Sequence, residues 1–135
     1  VGQCATSCIG EGLLHKALDA IIAHANRYGT RLFVNSNGTS LGVASFHRLF
    51  GVTELQLSID GALPATFEAI RKGADYSKTM RAIRVLKRAN ECLPQMLRMR
   101  PSMNFLVCAS NIRELPLIVD LAAYLGAQSV TAYRM

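Results

Sequence analysis

The chain has 135 residues, of which 50% are apolar and 18% are charged, and its 15 Lys and Arg against 9 Asp and Glu give a formal net charge of +6. This balance excludes a disordered chain, because so apolar a sequence can bury enough surface to fold. No apolar run reaches the ~18 residues that would span a bilayer, and no signal peptide is recognisable at the start, so we expect a soluble protein without a membrane partner.

Short segments of alternating polarity are separated by longer segments of helical periodicity. The predicted strands cover residues 1–8, 31–36, 54–59, 103–108 and 129–133, and the predicted helices cover residues 13–28, 40–50, 65–71, 77–93 and 112–125. Glycines suited to a left-handed helix cap follow three of these helices, at Gly29, Gly51 and Gly126. Asn111 and Glu114 have the spacing of a capping box at the last helix. The alternation of strands and helices predicts an α/β fold with parallel pairing, either an open sheet or an arc of a barrel.

The basic residues are concentrated between residues 71 and 100. Arg81, Arg84 and Arg88 repeat at helical spacing on the side opposite to an apolar stripe. The segment contains a single aromatic residue, Tyr76, and so lacks a platform on which bases could stack. We therefore predict an amphipathic helix with a solvated basic side, and no nucleic-acid partner.

The cysteines and histidines are scattered along the chain: Cys4, Cys8, Cys92, Cys108, His15, His24 and His47. Without an export signal, the cysteines are expected to be reduced thiols in the cytoplasm. Cys4 and Cys8 lie four residues apart on a predicted strand, which separates them by roughly 13 Å at ~3.3 Å per residue, too far to share one cluster. The histidines lack metal-ligand spacing, so we assign no metal ligand to this chain.

Polar residues occupy one face and one end of the predicted sheet. Gln56, Ser58 and Asp60 alternate with apolar residues. Burial of unpaired polar groups costs several kcal/mol, so these groups would line a hydrated cavity or a ligand site. The alternative is an edge strand with one solvated face. Small, polar or Gly-rich residues follow four of the strands, at residues 8–12, 35–39, 58–61 and 110–111. Ligands collect at the carboxyl ends of parallel strands, so we predict a binding site there.

Four motifs at these strand ends resemble those of radical S-adenosylmethionine enzymes. The turn Ile-Gly-Glu-Gly-Leu-Leu-His at residues 9–15 resembles the family's Gly-Gly-Glu-Pro-Leu-Leu-His turn, and residues 37–39 resemble its Thr-Asn-Gly-Thr strand end. Residues 57–61 resemble its Ser-Leu/Ile-Asp-Gly motif, and residues 111–116 also follow the family. The resemblance covers residues 1–135 as one partial core domain. It implies strands two to six of a partial (β/α)6 TIM-like barrel, with most similarity to the subgroup that carries a C-terminal auxiliary-cluster extension.

The resemblance also implies two cofactors, S-adenosylmethionine and a [4Fe-4S] cluster. The cluster would cleave S-adenosylmethionine reductively to a 5′-deoxyadenosyl radical that abstracts a substrate hydrogen. The family's cluster loop, Cys-x3-Cys-x2-Cys after the first strand, is absent from this sequence, because Glu11 stands where the third cysteine would be. Cys8 and Gly12 also replace the family's usual Gly and Pro. The chain is therefore expected to lack the first strand and its cluster loop, and to be inactive alone.

The resemblance places seven residues at the cofactor: Gly10, Glu11, Asn35, Asn37, Ser58, Asp60 and Met135. The turn at Gly10 and Glu11 would receive the methionyl ammonium, whose three donors suit a carbonyl and a carboxylate. Ser58 would contact the carboxylate or ribose, and Asp60 would hold the loop beside it. The two asparagines would face cosubstrate or substrate, and Met135 would touch the adenine.

The expected partners of the parent enzyme are S-adenosylmethionine, an unknown substrate such as a peptide or small molecule, and a reductant protein such as flavodoxin or ferredoxin. Two alternatives stay open from the sequence. One is a non-catalytic binding or scaffold module that kept the fold without the cluster. The other is an unrelated (β/α) enzyme that binds a phosphate-bearing ligand at the Gly-rich turns.

Overall fold

A computed structural model of the chain describes residues 2–6, 11–41, 46 and 49–134. Five strands form one sheet in the order β1-β2-β3-β4-β5, and every neighbouring pair is parallel. The strands are β1 (Gln3–Thr6), β2 (Arg31–Ser36), β3 (Glu54–Ser58), β4 (Arg100–Val107) and β5 (Val130–Arg134). The helices are α1 (Leu18–Arg27), α2 (Pro64–Ile70), α3 (Tyr76–Glu91) and α4 (Leu115–Leu125). The predicted α/β class and parallel pairing are confirmed.

One face of the sheet packs against the helices and the other face is polar. In β2 and β3 the burial alternates strictly, so that Leu55 and Leu57 are fully buried while Gln56 and Ser58 are half-buried. The apolar face meets large buried side chains of the helices, among them Phe67 of α2 and Ile118 of α4. Each fully buried side chain of this size contributes about 1.5–3 kcal/mol, so the helix-packed face carries the stability and leaves the polar face available for binding.

Helix α3 confirms the interpretation of the basic segment. Its buried residues follow one stripe that includes Met80, Ile83 and Leu86, whereas Arg81, Arg84 and Arg88 are exposed. Asp75 caps the helix by accepting the backbone N–H of Lys78 at 2.8 Å, and this hydrogen bond lowers the pKa of Asp75. The basic side is therefore the solvated face of an amphipathic helix.

Two predicted helix starts are corrected by the structure. The helix predicted from residue 13 begins at Leu18, because Gly12–Leu14 form a short 3-10 turn and His15 then adopts an extended backbone. The last helix begins at Leu115 after a 3-10 segment, Ile112–Glu114. Its C-terminal cap is confirmed, since Gly126 has a φ of 73°. The helix predicted over residues 40–50 falls largely outside the described residues.

The sheet has two edges, β1 and β5. In β5 all residues after Val130 are exposed, on both faces of the strand. Within the described ranges, no helix combines the length and apolarity needed to cross a bilayer.

Candidate binding site at the carboxyl ends of the strands

The parallel register brings most of the predicted site residues to one face of the sheet, at the carboxyl ends of the strands. Asn35 of β2 lies level with Gln56 of β3, and Ser58 lies level with Asn104 of β4. Because side chains on paired residues of parallel strands point to the same face, these groups share the polar face near the strand ends. Asn35 and Ser58 are half-buried there. Gly10 and Met135, also predicted for the site, lie outside the described residues.

Glu11 joins the turn before the first helix to the end of β2. Its Oε2 accepts the backbone N–H of Asn37 at 2.8 Å, so two predicted site residues are in direct contact. Its Oε1 is buried and makes no hydrogen bond with any part of the chain that the structure describes. A buried carboxyl oxygen without a donor is costly. It is therefore suited to a ligand that brings a donor, such as an ammonium group.

The turn after β2 is held by its own side chains. Asn37 Oδ1 accepts the backbone N–H of Thr39 at 2.9 Å and the hydroxyl of Thr39 at 2.6 Å. Ser36 Oγ accepts the N–H of Gly38, whose φ of 78° favours glycine. A Cβ on Gly38 would also lie 3.0 Å from Thr79. The side-chain carbonyl of Asn37 thus orders the turn.

Asp60 connects the end of β3 to two other elements. Its Oδ1 accepts the backbone N–H of Leu106 in β4 at 2.9 Å, and its Oδ2 lies 2.6 Å from Nη2 of Arg71. The residue is 5% exposed. Both carboxyl oxygens therefore have partners inside the protein, which agrees with the prediction that Asp60 holds the loop.

Asn111 is fully buried and ties β4 to the loop after β3. Its Oδ1 accepts the N–H of Cys108 at 2.7 Å, and its Nδ2 donates to the carbonyls of Asp60 at 2.9 Å and Leu106 at 2.7 Å. The predicted capping box with Glu114 is wrong, because the Asn111 side chain makes no helix-cap hydrogen bond. The 3-10 segment that follows displaces the start of α4 and leaves Asn111 directed at the strands.

Glu114 accepts hydrogen bonds from the opposite loop rather than from the helix start. Its donors are the backbone N–H groups of Ala62 at 2.7 Å and Leu63 at 3.1 Å, and the hydroxyl of Thr66. Burial alone would raise the pKa of Glu114, but these three hydrogen bonds outweigh it and the pKa is lowered. We call Asp60, Arg71, Asn111 and Glu114 the rim network, since together they fix the loops at the strand ends.

Sequence reasoning missed two residues, one of β4 and one at the position that follows it. Asn104 lies level with Ser58, and its Oδ1 is buried without a hydrogen bond to any described residue. The alternation around it, between the buried Met103 and Phe105, was the available signal. Cys108 follows the strand, and its hydrogen bond with the hydroxyl of Ser110 lowers the pKa of its thiol. Both residues belong to the same strand end as the predicted site.

A second concave region lies at the opposite end of the sheet. It is a groove of about 570 Å³ whose lining includes Lys87, Arg98, Arg100 and Tyr124. These residues surround the amino end of β4, whereas ligands of parallel α/β folds bind at the carboxyl ends. The groove is therefore separate from the candidate site.

The described residues contain no group of three or more His, Cys, Asp or Glu that could hold a metal ion. Of the cysteines predicted to be reduced, Cys92 and Cys108 are free. The side chain of Cys4 and all of Cys8 lie outside the described residues. What the described residues present for a cofactor is therefore the polar strand-end surface.

Comparison with known proteins gives one curated relative and several structural neighbours, while no family model matches. The chain is 30% identical over 123 residues to a PqqA peptide cyclase from Streptomyces rochei, which covers 90% of this chain and 32% of that protein. The chain thus spans about a third of this relative's length.

TYW1 solved with a lysine-pyruvate adduct matches 98% of this chain and 42% of its own, at 19% identity and a TM-score of 0.69. SuiB from Streptococcus suis, bound to S-adenosylmethionine, matches 98% of this chain and 29% of its own, at 11% identity and a TM-score of 0.71.

Proposed function

We propose that this chain supplies the cosubstrate-binding strand ends of a radical S-adenosylmethionine enzyme. The starting point is its similarity to part of the core domain of that family. The relatives named above are radical S-adenosylmethionine enzymes, so the family resemblance drawn from the sequence is confirmed. The auxiliary-cluster subgroup remains a prediction. When bound, a [4Fe-4S] cluster supplies the electron that cleaves S-adenosylmethionine to the radical used for hydrogen abstraction. Its ligands would come from outside the described residues.

The observation that carries the proposal is the buried Oε1 of Glu11, which has no hydrogen-bond donor among the described residues and lies at the turn that resembles the family's methionyl-binding turn. An ammonium group donates up to three hydrogen bonds, and at neutral pH the strongest acceptor that a protein offers it is a carboxylate. The second oxygen of Glu11 is held by Asn37, so the first is fixed in place. A phosphate at this point would meet a carboxylate, which disfavours the alternative of a phosphate-bearing ligand.

The other predicted positions divide into contacting and positioning roles. Ser58 and Asn35 lie on the polar face of β3 and β2 and would contact the cosubstrate or substrate, whereas Asn37 and Asp60 would hold the loops that follow these strands. Gly10 would add a carbonyl for the methionyl ammonium, and Met135 would lie against the adenine.

The substrate of the whole enzyme is proposed to be a peptide. The curated relative is a peptide cyclase by name, and SuiB has also been solved bound to the precursor peptide SuiA. A reductant protein such as flavodoxin or ferredoxin would deliver the electron, and the reduced thiols suit a cytoplasmic location. No nucleic acid or membrane is part of this proposal.

The test uses the full-length protein, reconstituted with iron, sulfide and reductant. Glu11→Gln should weaken S-adenosylmethionine binding about tenfold in equilibrium dialysis, because it replaces a charge-assisted hydrogen bond by a neutral one. Glu91→Gln, at the exposed end of α3, is the matched control and should bind as the wild type does. The wild type should also produce 5′-deoxyadenosine. An intact cluster with no 5′-deoxyadenosine, or unchanged binding by Glu11→Gln, would contradict the proposal.

A further inference from the structure

We infer that Asn104 positions the substrate by accepting, at its side-chain carbonyl, a backbone N–H of the peptide. This inference rests on the proposed function, since it assigns one recognition contact within the same strand-end site. Asn104 is not among the residues that the sequence motifs placed at the cosubstrate.

The position of Asn104 follows from register and burial. Its Cα is paired with that of Ser58 on one side and that of Thr131 on the other, so it lies in the middle of a polar row across β3, β4 and β5. Its neighbours along the strand, Met103 and Phe105, are fully buried against the helices. Because successive side chains of a strand alternate, Asn104 points to the polar face.

The chemistry of the ligand follows from what Asn104 lacks. Its Oδ1 is buried and has no donor among the residues that the structure describes. Two nearby polar side chains are already paired: Ser102 donates to Glu54 at 2.8 Å, and Asn111 uses both ends of its amide. An amide carbonyl only accepts, so its ligand must bring an N–H or O–H group. A peptide backbone carries an N–H at nearly every residue and fits this requirement.

The contact also lies at the right distance from the proposed cosubstrate. Adjacent strands are about 4.8 Å apart, so the positions of Asn104 and Ser58, which are paired in the register, are separated by about one strand spacing. Substrate and cosubstrate must meet for hydrogen abstraction, and the row of Ser58 and Asn104 allows them to lie side by side.

The experiment compares wild type, Asn104→Leu and Asn104→Asp in the full-length protein with S-adenosylmethionine present. The probe is an equimolar pool of N-acetylated hexapeptide amides, whose retention is measured by dialysis and mass spectrometry. Peptides retained by the wild type should bind about tenfold more weakly to Asn104→Leu, which is about 1.4 kcal/mol. Asn104→Asp, which keeps an acceptor, should bind them more tightly than Asn104→Leu does. A retained peptide is then N-methylated at each backbone position in turn, and methylation at one position should weaken binding to the wild type but not to Asn104→Leu.

Two further measurements separate this role from a structural one. Replacing a buried, unpaired carbonyl by an apolar side chain should raise the melting temperature by about 3 °C, whereas loss of a structural amide would lower it. The affinity for S-adenosylmethionine should stay within about twofold of the wild type, in contrast to Glu11→Gln. An equal loss of S-adenosylmethionine affinity would overturn the inference and assign Asn104 to the cosubstrate. Retention of no peptide by a wild type that binds S-adenosylmethionine would overturn the inference and the peptide substrate class, while leaving the proposed binding of S-adenosylmethionine standing.

Discussion

Replacing Asn111 by Ala removes hydrogen bonds by which the rim network holds the ends of β3 and β4 together. The side chain makes three of them, to Cys108, Asp60 and Leu106, and it is fully buried. Each contributes about 1 kcal/mol, and each buried group left unpaired costs about 1–3 kcal/mol. Because some of the freed groups can bind water in the space left by the side chain, we expect Asn111→Ala to lower the free energy of unfolding by about 3–5 kcal/mol. That is a large part of the ~5–15 kcal/mol by which a domain is stable.

Urea unfolding at pH 7, followed by circular dichroism, measures this loss. With a slope of about 2 kcal/mol per M, the unfolding midpoint should fall by about 2 M. The matched control is Arg113→Ala, two residues along the chain on the exposed side of the 3-10 segment, which should change stability by less than about 0.5 kcal/mol. A loss below about 1 kcal/mol for Asn111→Ala would refute the reasoning, since the amide would then have no stabilising role at the strand ends.

The remaining two predictions concern the same loops. Gly61→Ala would place a Cβ 2.5 Å from the backbone N of Phe67, so we expect it to lower the free energy of unfolding by about 3 kcal/mol and to weaken S-adenosylmethionine binding by the full-length protein. The control is Gly29→Ala, at a position with a φ of 63° and no atom within 4 Å of the new Cβ, which should cost only about 1 kcal/mol and leave binding unchanged. Equal effects of the two substitutions would contradict the clash. The pKa of Glu114 is lowered on folding, so its contribution to stability is present above the unfolded value near 4.5 and disappears as pH falls through the folded pKa. Glu114→Gln should therefore be less stable than the wild type at pH 7 in urea unfolding, with a difference that shrinks as the pH falls below 4.5. A difference that stays constant with pH would show that the charge has no part in it.

The parts of the fold that depend on local pattern could be predicted from the sequence. The strand at residues 31–36 was predicted with its observed bounds, and the alternation in residues 54–59 predicted which of its side chains are buried. The order of strands and helices was enough for the parallel topology. These features follow from the spacing of apolar residues, which a sequence displays directly.

The parts of the site that depend on distant partners could not be predicted. Asn111 and Glu114 have the spacing of a capping box, but the Asn111 side chain bonds to Asp60, Leu106 and Cys108. Glu114 bonds to residues 62–66. The spacing cannot reveal these partners. The start of α1 was missed because the extended backbone at His15 interrupts an otherwise helical pattern. Asn104 was missed because the absence of a partner for its carbonyl is a property of the packed structure alone.

The long sequence separation of the rim network has a consequence for the order of folding. Five of its hydrogen bonds join residues 46 to 52 positions apart, with the whole of α3 and all or most of α2 and β4 between them. Closing a loop of that length is entropically costly and becomes favourable only after the intervening elements have docked. We therefore expect the strand-end loops to acquire their geometry late, after the helices have packed against the sheet. The N–H of Leu106 donates to Asp60, so slow hydrogen exchange at this N–H would mark a chain that has completed its folding.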